Sequence, residues 1–339
     1  MLFLTVTSLL LLSAPCCTSD SGVSVGNAVY YWRTSLRLST AEREFLERQG
    51  IKTVYLRMFD VQGVDGMPMP TATLTFCDTV PDGIRIVPVV FIAPDALSGM
   101  AVDSLAYKIV GRVDKMLLVN GYQRADELQL DFDWTMSNRD RYFGLLREAA
   151  GIMHSRGGKL SVTVRLHQLR QTPPPADYGV LMVYNTGNIT DAGEPNSILN
   201  TRAVEPYLKD LSHYDLPLAT ALPLYSWNIV FSGGKFRAIA HSLDVSDTTM
   251  FRQVDPTHYR CVKYGPLAMA GRGDGSGGRI YPGDIVRHEF VTPETLTEVL
   301  GKLHEANHSI TRSVIFYHLD EKSIKQYDIE FLQKIGRGR

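Results

Sequence analysis

The chain has 339 residues, 44% hydrophobic and 21% charged, with a formal net charge of -1. Such a near-neutral balance gives no charge-based grip on nucleic acid or on an anionic membrane surface. The composition is globular, and the length suits two average domains or one large α/β barrel.

Leu2 to Ser13 is an apolar run of about a dozen residues, too short to span a bilayer comfortably. It fits the h-region of a secretory signal, so residues 1–17 are expected to act as a signal and the chain to be exported. Cys16 and Cys17 follow at once, and either one stands where a bacterial lipoprotein signal is acylated. Lipid attachment, and through it membrane attachment, is the expectation. Cys77 and Cys261 are the other two cysteines. Two distant cysteines make neither a disulfide framework nor a metal cluster; both are expected to be buried thiols, with one disulfide between them as the alternative.

Residues 24–339 read as one domain in which strand-like and helix-like runs alternate. Asn27 to Arg33 is the first strand. Ser39 or Thr40 then caps a helix that carries Phe45 and Leu46 and stops at Gly50. Lys52 to Val61 and Ile84 to Ala93 are strands two and three. Leu105, Ile109, Val113, Met116 and Leu117 recur at helical spacing between Ala101 and Gly121. Glu127 to Trp134 is strand four. Ser137 is the expected cap of a helix striped with Tyr142, Leu145, Leu146, Ala149 and Met153, which ends at Gly157 and Gly158. Lys159 to Gln168 and Tyr178 to Gly187 are strands five and six. A helix from Arg202 to Ser212 leads to strand seven, Pro217 to Trp227. A capped helix from Thr292 precedes strand eight, Arg312 to Asp320.

Strands alternating with helices predict a parallel sheet, and eight of them predict a closed (β/α)8 TIM barrel. An open doubly wound sheet is the rival. It would bring a glycine-rich phosphate turn after its first strand, and none follows Arg33. No cofactor is called for. The stretch of about residues 228–290 breaks the rhythm and is expected to form a small β-rich lobe inserted between strands seven and eight. The Arg272-Gly273-Asp274 tripeptide inside it reads as part of a glycine-rich loop.

Active groups of such a barrel sit where its strands end. The strand-end residues here are Trp32, Arg33, Arg57, Asp60, Asp131, Asp133, Arg165, His167, Tyr184, Asn185, Tyr225, Trp227, Tyr317, His318 and Asp320. Aromatic rings mixed with carboxylates and arginines suit a sugar: rings cover the apolar faces of pyranoses, and charged groups bond hydroxyls. Asp131 and Asp133 stand out, because strand alternation points both the same way. A metal is not expected. His167, His318, Asp131 and Asp133 are compatible in type, but their spacing gives no ligand signature.

The sequence also resembles the chitinase-like family 18 glycoside hydrolases. Their strand four carries D-G-x-D-x-D-x-E, and Leu128 to Thr135 reads L-Q-L-D-F-D-W-T. Asp131 and Asp133 match the last two aspartates. Met182 to Asn185 ("MVYN"), Leu222 to Tyr225 ("LPLY") and Phe316 to Asp320 ("FYHLD") are similar to the ends of the family's strands six, seven and eight. The resemblance implies a carbohydrate partner and a barrel mouth lined by these residues. It departs where the family's proton donor should be: that position is Thr135. A conventional chitinase is therefore not expected. Two readings follow. One is a hydrolase with a relocated acid, Asp133 assisted by Asp131 and Tyr184. There Arg33, Arg57, Asp60, Arg165, His167, Asn185, Tyr225, Trp227, Tyr317 and Asp320 hold the substrate, and the arginines grip hydroxyls or an acidic substituent. The other is a noncatalytic sugar binder in which arginines hold Asp131 and Asp133 as structural pairs.

Overall fold

Eight parallel strands pair in sequence order and close on themselves: β1 (Ala28–Tyr31), β2 (Thr53–Val64), β3 (Arg85–Ile92), β4 (Glu127–Asp131), β5 (Lys159–Arg165), β6 (Tyr178–Met182), β7 (Leu218–Pro223) and β8 (Val314–Tyr317). The β8–β1 and β1–β2 pairings complete the ring, giving the expected (β/α)8 barrel. This computed structural model describes residues 23, 25–240, 243–267 and 278–337. The expected signal, Cys16, Cys17 and the Arg272-Gly273-Asp274 tripeptide lie outside the described residues.

Period-two alternation sorts each strand into two layers. Leu128 and Leu130 of β4, and Leu160, Val162 and Val164 of β5, face outward into the layer beneath the helices. Tyr30, Tyr55, Val87, Val89, Val180, Met182, Ala219, Ala221 and Ile315 fill the barrel interior. The helices α1 (Thr40–Arg48), α2 (Val102–Val119), α3 (Arg139–His154), α4 (Pro293–Ala306) and α5 (Ile329–Gly336) cover the outside with their apolar faces. Ser39 caps α1 through a reciprocal capping box with Glu42, and Thr292 caps α4.

The lower barrel is polar and internally satisfied. The Glu127 carboxylate accepts from Tyr178, from the Ser161 hydroxyl at 2.7 Å and from Arg85 at 2.9 Å. Tyr55 and Tyr178 share a hydrogen bond of 2.7 Å, and Tyr30 donates to Gln129 at 2.7 Å.

Several expected boundaries shift. β4 stops at Asp131 rather than Trp134, and β5, β6 and β7 each end before their expected limits. Beyond those points the chain bends into the loops of the mouth. Asn138, not Ser137, precedes α3. Its Oδ1 accepts from the Thr135 amide at 2.8 Å, closing a turn, while the Ser137 hydroxyl bonds that of Thr135 at 2.9 Å. The segment expected as one helix after Arg202 is three short turns, broken where Pro206 enters. β2 runs on into an antiparallel hairpin with Met67–Thr71 that the sequence reading missed. Cys77 and Cys261 are both free. Cys261 is buried as expected, but Cys77 is exposed, in the turn that follows the short strand Thr75–Phe76.

Between β7 and β8 the chain forms an antiparallel five-stranded sheet, in the spatial order Lys235–Ala240, Trp227–Ser232, Ile285–Glu289, His258–Cys261, Phe251–Gln253. It has its own core of Val230, Ala238, Ala240, Phe251, Cys261, Leu267, Ile280 and Val286.

Replacing Glu127 by Ala removes one acceptor from Tyr178, Ser161 and Arg85 together. The expected cost is about 3 kcal/mol of stability, measured as a lowered urea midpoint with an unchanged slope.

Candidate functional site

The mouth is assembled at the C-terminal ends of the strands. Asp131 is the last residue of β4 and points inward. Its Oδ1 accepts from the Thr163 hydroxyl at 2.6 Å and from Arg165 Nη2 at 3.2 Å. Arg165 Nε also donates to Asp133, so one guanidinium bridges the two aspartates. They differ in burial: the side-chain exposure is 7% for Asp131 and 56% for Asp133. Strand alternation alone gives the two the same setting. The strand ends at Asp131, and Asp133 rides on the loop beyond it.

Electrostatics follow this placement. Burial raises the Asp131 carboxyl above its ordinary value, and the opposing pull of Arg165 and the Thr163 hydroxyl does not cancel that effect. Burial works against the charge on Arg165, but the adjacent carboxylates, Asp131 first, outweigh it and hold the guanidinium protonated.

Arg57 and Asp60 form a second pair, with Nε donating to Oδ1 at 2.8 Å and Nη2 to Oδ2. Residues three apart on a regular strand face opposite sides. Here the register of β2 against β3 slips between Arg57 and Phe59, and this bulge turns both side chains inward. The Arg57 guanidinium also lies over the Trp32 ring, 5.5 Å from its centroid.

Aromatic rings build the floor. Tyr317 of β8 stacks on Tyr184 at 4.6 Å and meets Trp32 at 6.0 Å and Tyr225 at 5.8 Å; Tyr225 meets Trp227 at 5.4 Å. The Tyr225 hydroxyl donates to Asn185 Oδ1 at 2.6 Å. Asn185 has a φ of 54°, a left-handed conformation that Asn tolerates better than most residues. Burial raises the phenols of Tyr30, Tyr184, Tyr225 and Tyr317, which keeps them neutral.

Three cavities share these walls. One of about 410 Å³ is lined by Asp133, Thr135, Arg165, His167, Tyr184, Asn185 and Tyr207 among others. One of about 240 Å³ lies over Trp32, Arg57, Asp60, Asp131 and Tyr317. One of about 480 Å³ runs past Asn185, Tyr225, Trp227, Tyr317 and Asp320 toward the inserted sheet. Asn185 belongs to all three.

Most of the expected site residues therefore meet at one mouth. Arg33 does not line it. It pairs with buried Glu42, reaches Asp320 at 3.5 Å and donates to the Leu319 carbonyl at 3.2 Å, tying β1 to the C-terminal turns. Asp320 caps the short helix Glu321–Ile324. The arginines are also not free to grip an acidic substituent as expected: Arg57 and Arg165 are both neutralised by aspartates. Sequence reasoning missed Thr163, Tyr30, Tyr207 and Gln168. Inward alternation on β1 and β5 signals Tyr30 and Thr163. Gln168 accepts from the Arg165 amide at 2.8 Å and donates to the Trp134 carbonyl at 3.1 Å, an arrangement set by the loop and not by strand parity. Among the described residues, no group of three or more His, Cys, Asp or Glu side chains is placed to hold a metal ion.

No family model and no curated protein sequence matches the chain. Solved structures do. A chitinase from Chromobacterium violaceum ATCC 12472 is 14% identical with a TM-score of 0.54, over 92% of this chain and 98% of that one. The Bacillus cereus spore cortex-lytic enzyme SleL is 13% identical with a TM-score of 0.53, over 94% and 75%. An Ostrinia furnacalis Group IV chitinase, solved in complex with allosamidin, is 10% identical with a TM-score of 0.51, over 91% and 96%. At these identities the likeness is one of fold: the chain shares the barrel of chitinase-type glycoside hydrolases.

Because its folded-state carboxyl is raised, Asp131 releases its proton less readily in the folded than in the unfolded chain. Ionisation at Asp131 thus lowers stability as the pH rises above the ordinary value of 3.8. Asp131→Asn removes this ionisation but leaves Arg165 with Asp133 alone, so its effect is read from the pH dependence: between about pH 4 and pH 7 the melting temperature is expected to fall less, or rise more, in the variant than in the wild type. Thermal unfolding across pH checks it; an identical pH dependence in the two proteins contradicts it.

Proposed function

We propose that the barrel mouth binds a saccharide without hydrolysing it, as a divergent relative of the chitinase-like family 18 glycoside hydrolases. The observation that carries this reading is the pairing of the mouth's carboxylates. Cleaving a glycosidic bond needs a carboxylic acid free to protonate the leaving oxygen. Asp131 and Asp133 are held by Arg165, and Asp60 by Arg57. Asp320 accepts from the Ser323 amide at 3.2 Å. Thr135 stands in the cavity wall where the resemblance would put the acid, and a hydroxyl is far too weak an acid for that step. The rings of Trp32, Tyr184, Tyr225 and Tyr317 supply apolar faces, and Asn185 and the arginines supply polar contacts. Saccharides are the ligand class that such a lining fits, and the shared fold of chitinases and a spore cortex-lytic enzyme supports the same class.

One observation favours hydrolysis instead: the raised carboxyl of Asp131. In that second reading Asp131, rather than the exposed Asp133, is the relocated acid.

The reading includes export, with a lipid on Cys16 or Cys17. The sequence around these cysteines supports it, and no described helix is long and apolar enough to cross a membrane. Mass spectrometry of the mature N-terminus tests this part: a lipid-modified cysteine is expected, and an uncleaved Leu2–Ser13 run contradicts it.

The central test pairs binding with turnover. Oligomers of N-acetylglucosamine and peptidoglycan fragments are titrated while reducing ends are assayed. Binding without new reducing ends is expected, and Tyr317→Ala is expected to weaken it about tenfold, a loss of about 1.4 kcal/mol. Reducing ends released by the wild type and lost in Asp131→Asn would overturn the proposal in favour of the hydrolase.

A further inference from the structure

Glu289 lines none of the three cavities of the mouth, yet the parts that shape one side of it converge on its carboxylate. Its side chain is fully buried, at the end of the inserted strand Ile285–Glu289. Oε2 accepts from Trp227 Nε1 at 2.7 Å and from the Ser197 hydroxyl at 2.6 Å. Oε1 accepts from Arg287 Nε at 2.6 Å. Arg287, itself fully buried, sends Nη1 to the Asp191 carbonyl at 2.6 Å. Ser197 and Asp191 belong to the loop that follows β6, so one carboxylate joins the inserted sheet, that loop and the Trp227 indole.

The chain of contacts runs on into the mouth. Trp227 packs on Tyr225, Tyr225 donates to Asn185, and Asn185 lines all three cavities. A second tie comes from the loop itself. The Gly187 amide donates to the Ser197 carbonyl at 3.1 Å. A Cβ on Gly187 would come within 2.8 Å of Ser197 Cα, so the loop folds back more tightly than a side chain permits. Asn185 is thus held from two directions that meet at Glu289.

A buried carboxylate is expensive unless its oxygens are filled with donors. Here they are filled by donors from elements far apart in sequence. An amide of the same shape cannot replace it, because its NH2 group would face one of these N–H or O–H donors. We infer that Glu289 is a positioning residue for the saccharide platform: through Trp227 and Ser197 it fixes where Tyr225 and Asn185 sit. This inference rests on the reading of the mouth as a saccharide site. The inserted sheet is then a fixed wall of that site.

The test uses the full chain labelled with 5-fluorotryptophan, with 19F resonances assigned through Trp→Phe variants, and titrated with N-acetylglucosamine oligomers. Glu289→Gln is expected to move the Trp227 resonance and to weaken binding about tenfold. Trp227→Phe keeps a ring but loses the indole N–H, and is expected to weaken binding about threefold. If Glu289 acts through Trp227, the double variant binds no more weakly than Glu289→Gln alone. Unchanged affinity in Glu289→Gln, or losses that multiply in the double variant, would overturn the inference. If Glu289→Gln does not fold, Ser197→Ala takes its place. A shifted Trp227 resonance with weaker binding supports the inference, and no change in either overturns it. A wild type that binds no saccharide refutes the reading of the mouth, and the Trp227 resonance still reports whether Glu289 holds the indole.

Discussion

The mouth depends on one guanidinium. Asp131 is buried at the end of β4, where an unpaired carboxylate would be strongly disfavoured. Asp133 extends from the same side of the chain, so the two negative charges are neighbours. Arg165 reaches both, and the Thr163 hydroxyl adds a further donor to Asp131. The pairing still leaves the Asp131 carboxyl raised, so desolvation is the larger effect at that position and the attraction to Arg165 moderates it. A site built this way is preorganised and electrically almost balanced. It suits the recognition of a polar, weakly charged molecule better than it suits proton transfer.

The barrel was legible because its rules are local. Alternation assigns each β-strand residue to the interior or to the helix layer, and the crossover helices reveal parallel order. The rule that functional groups gather at strand ends then selects Asp131, Arg165, Tyr184, Asn185 and Tyr317 with no knowledge of distance. The same local rules fail where geometry departs from them. β4 ends at Asp131, so Asp133 is exposed even though it shares the parity of its buried neighbour. Arg33 has the right position in sequence, but the buried charge of Glu42 draws it away from the mouth. Ser137 looks like a helix cap, yet the turn closed by Asn138 takes that place.

The least legible residue is Glu289. It lies 62 positions from Trp227 and 92 from Ser197, and nothing local marks it. Its role exists only once the inserted sheet has folded against the loop after β6. The sequence suggested a small lobe of strands there; which of its side chains turn toward the barrel is decided by the pairing of Trp227 with Glu289 across two antiparallel strands. Long-range complementarity of this kind leaves no periodic trace.

The bulge in β2 also limits how this strand can change. The additional residue works as a half-period phase shift: upstream of it odd-numbered side chains look into the barrel, and downstream of it even-numbered ones do. Shortening the strand by that residue would rotate Asp60 out among the helices and strand a cation beside Trp32. This stretch can therefore drift by substitution but not by single-residue gain or loss, because its length itself encodes the neutrality of the cavity above it.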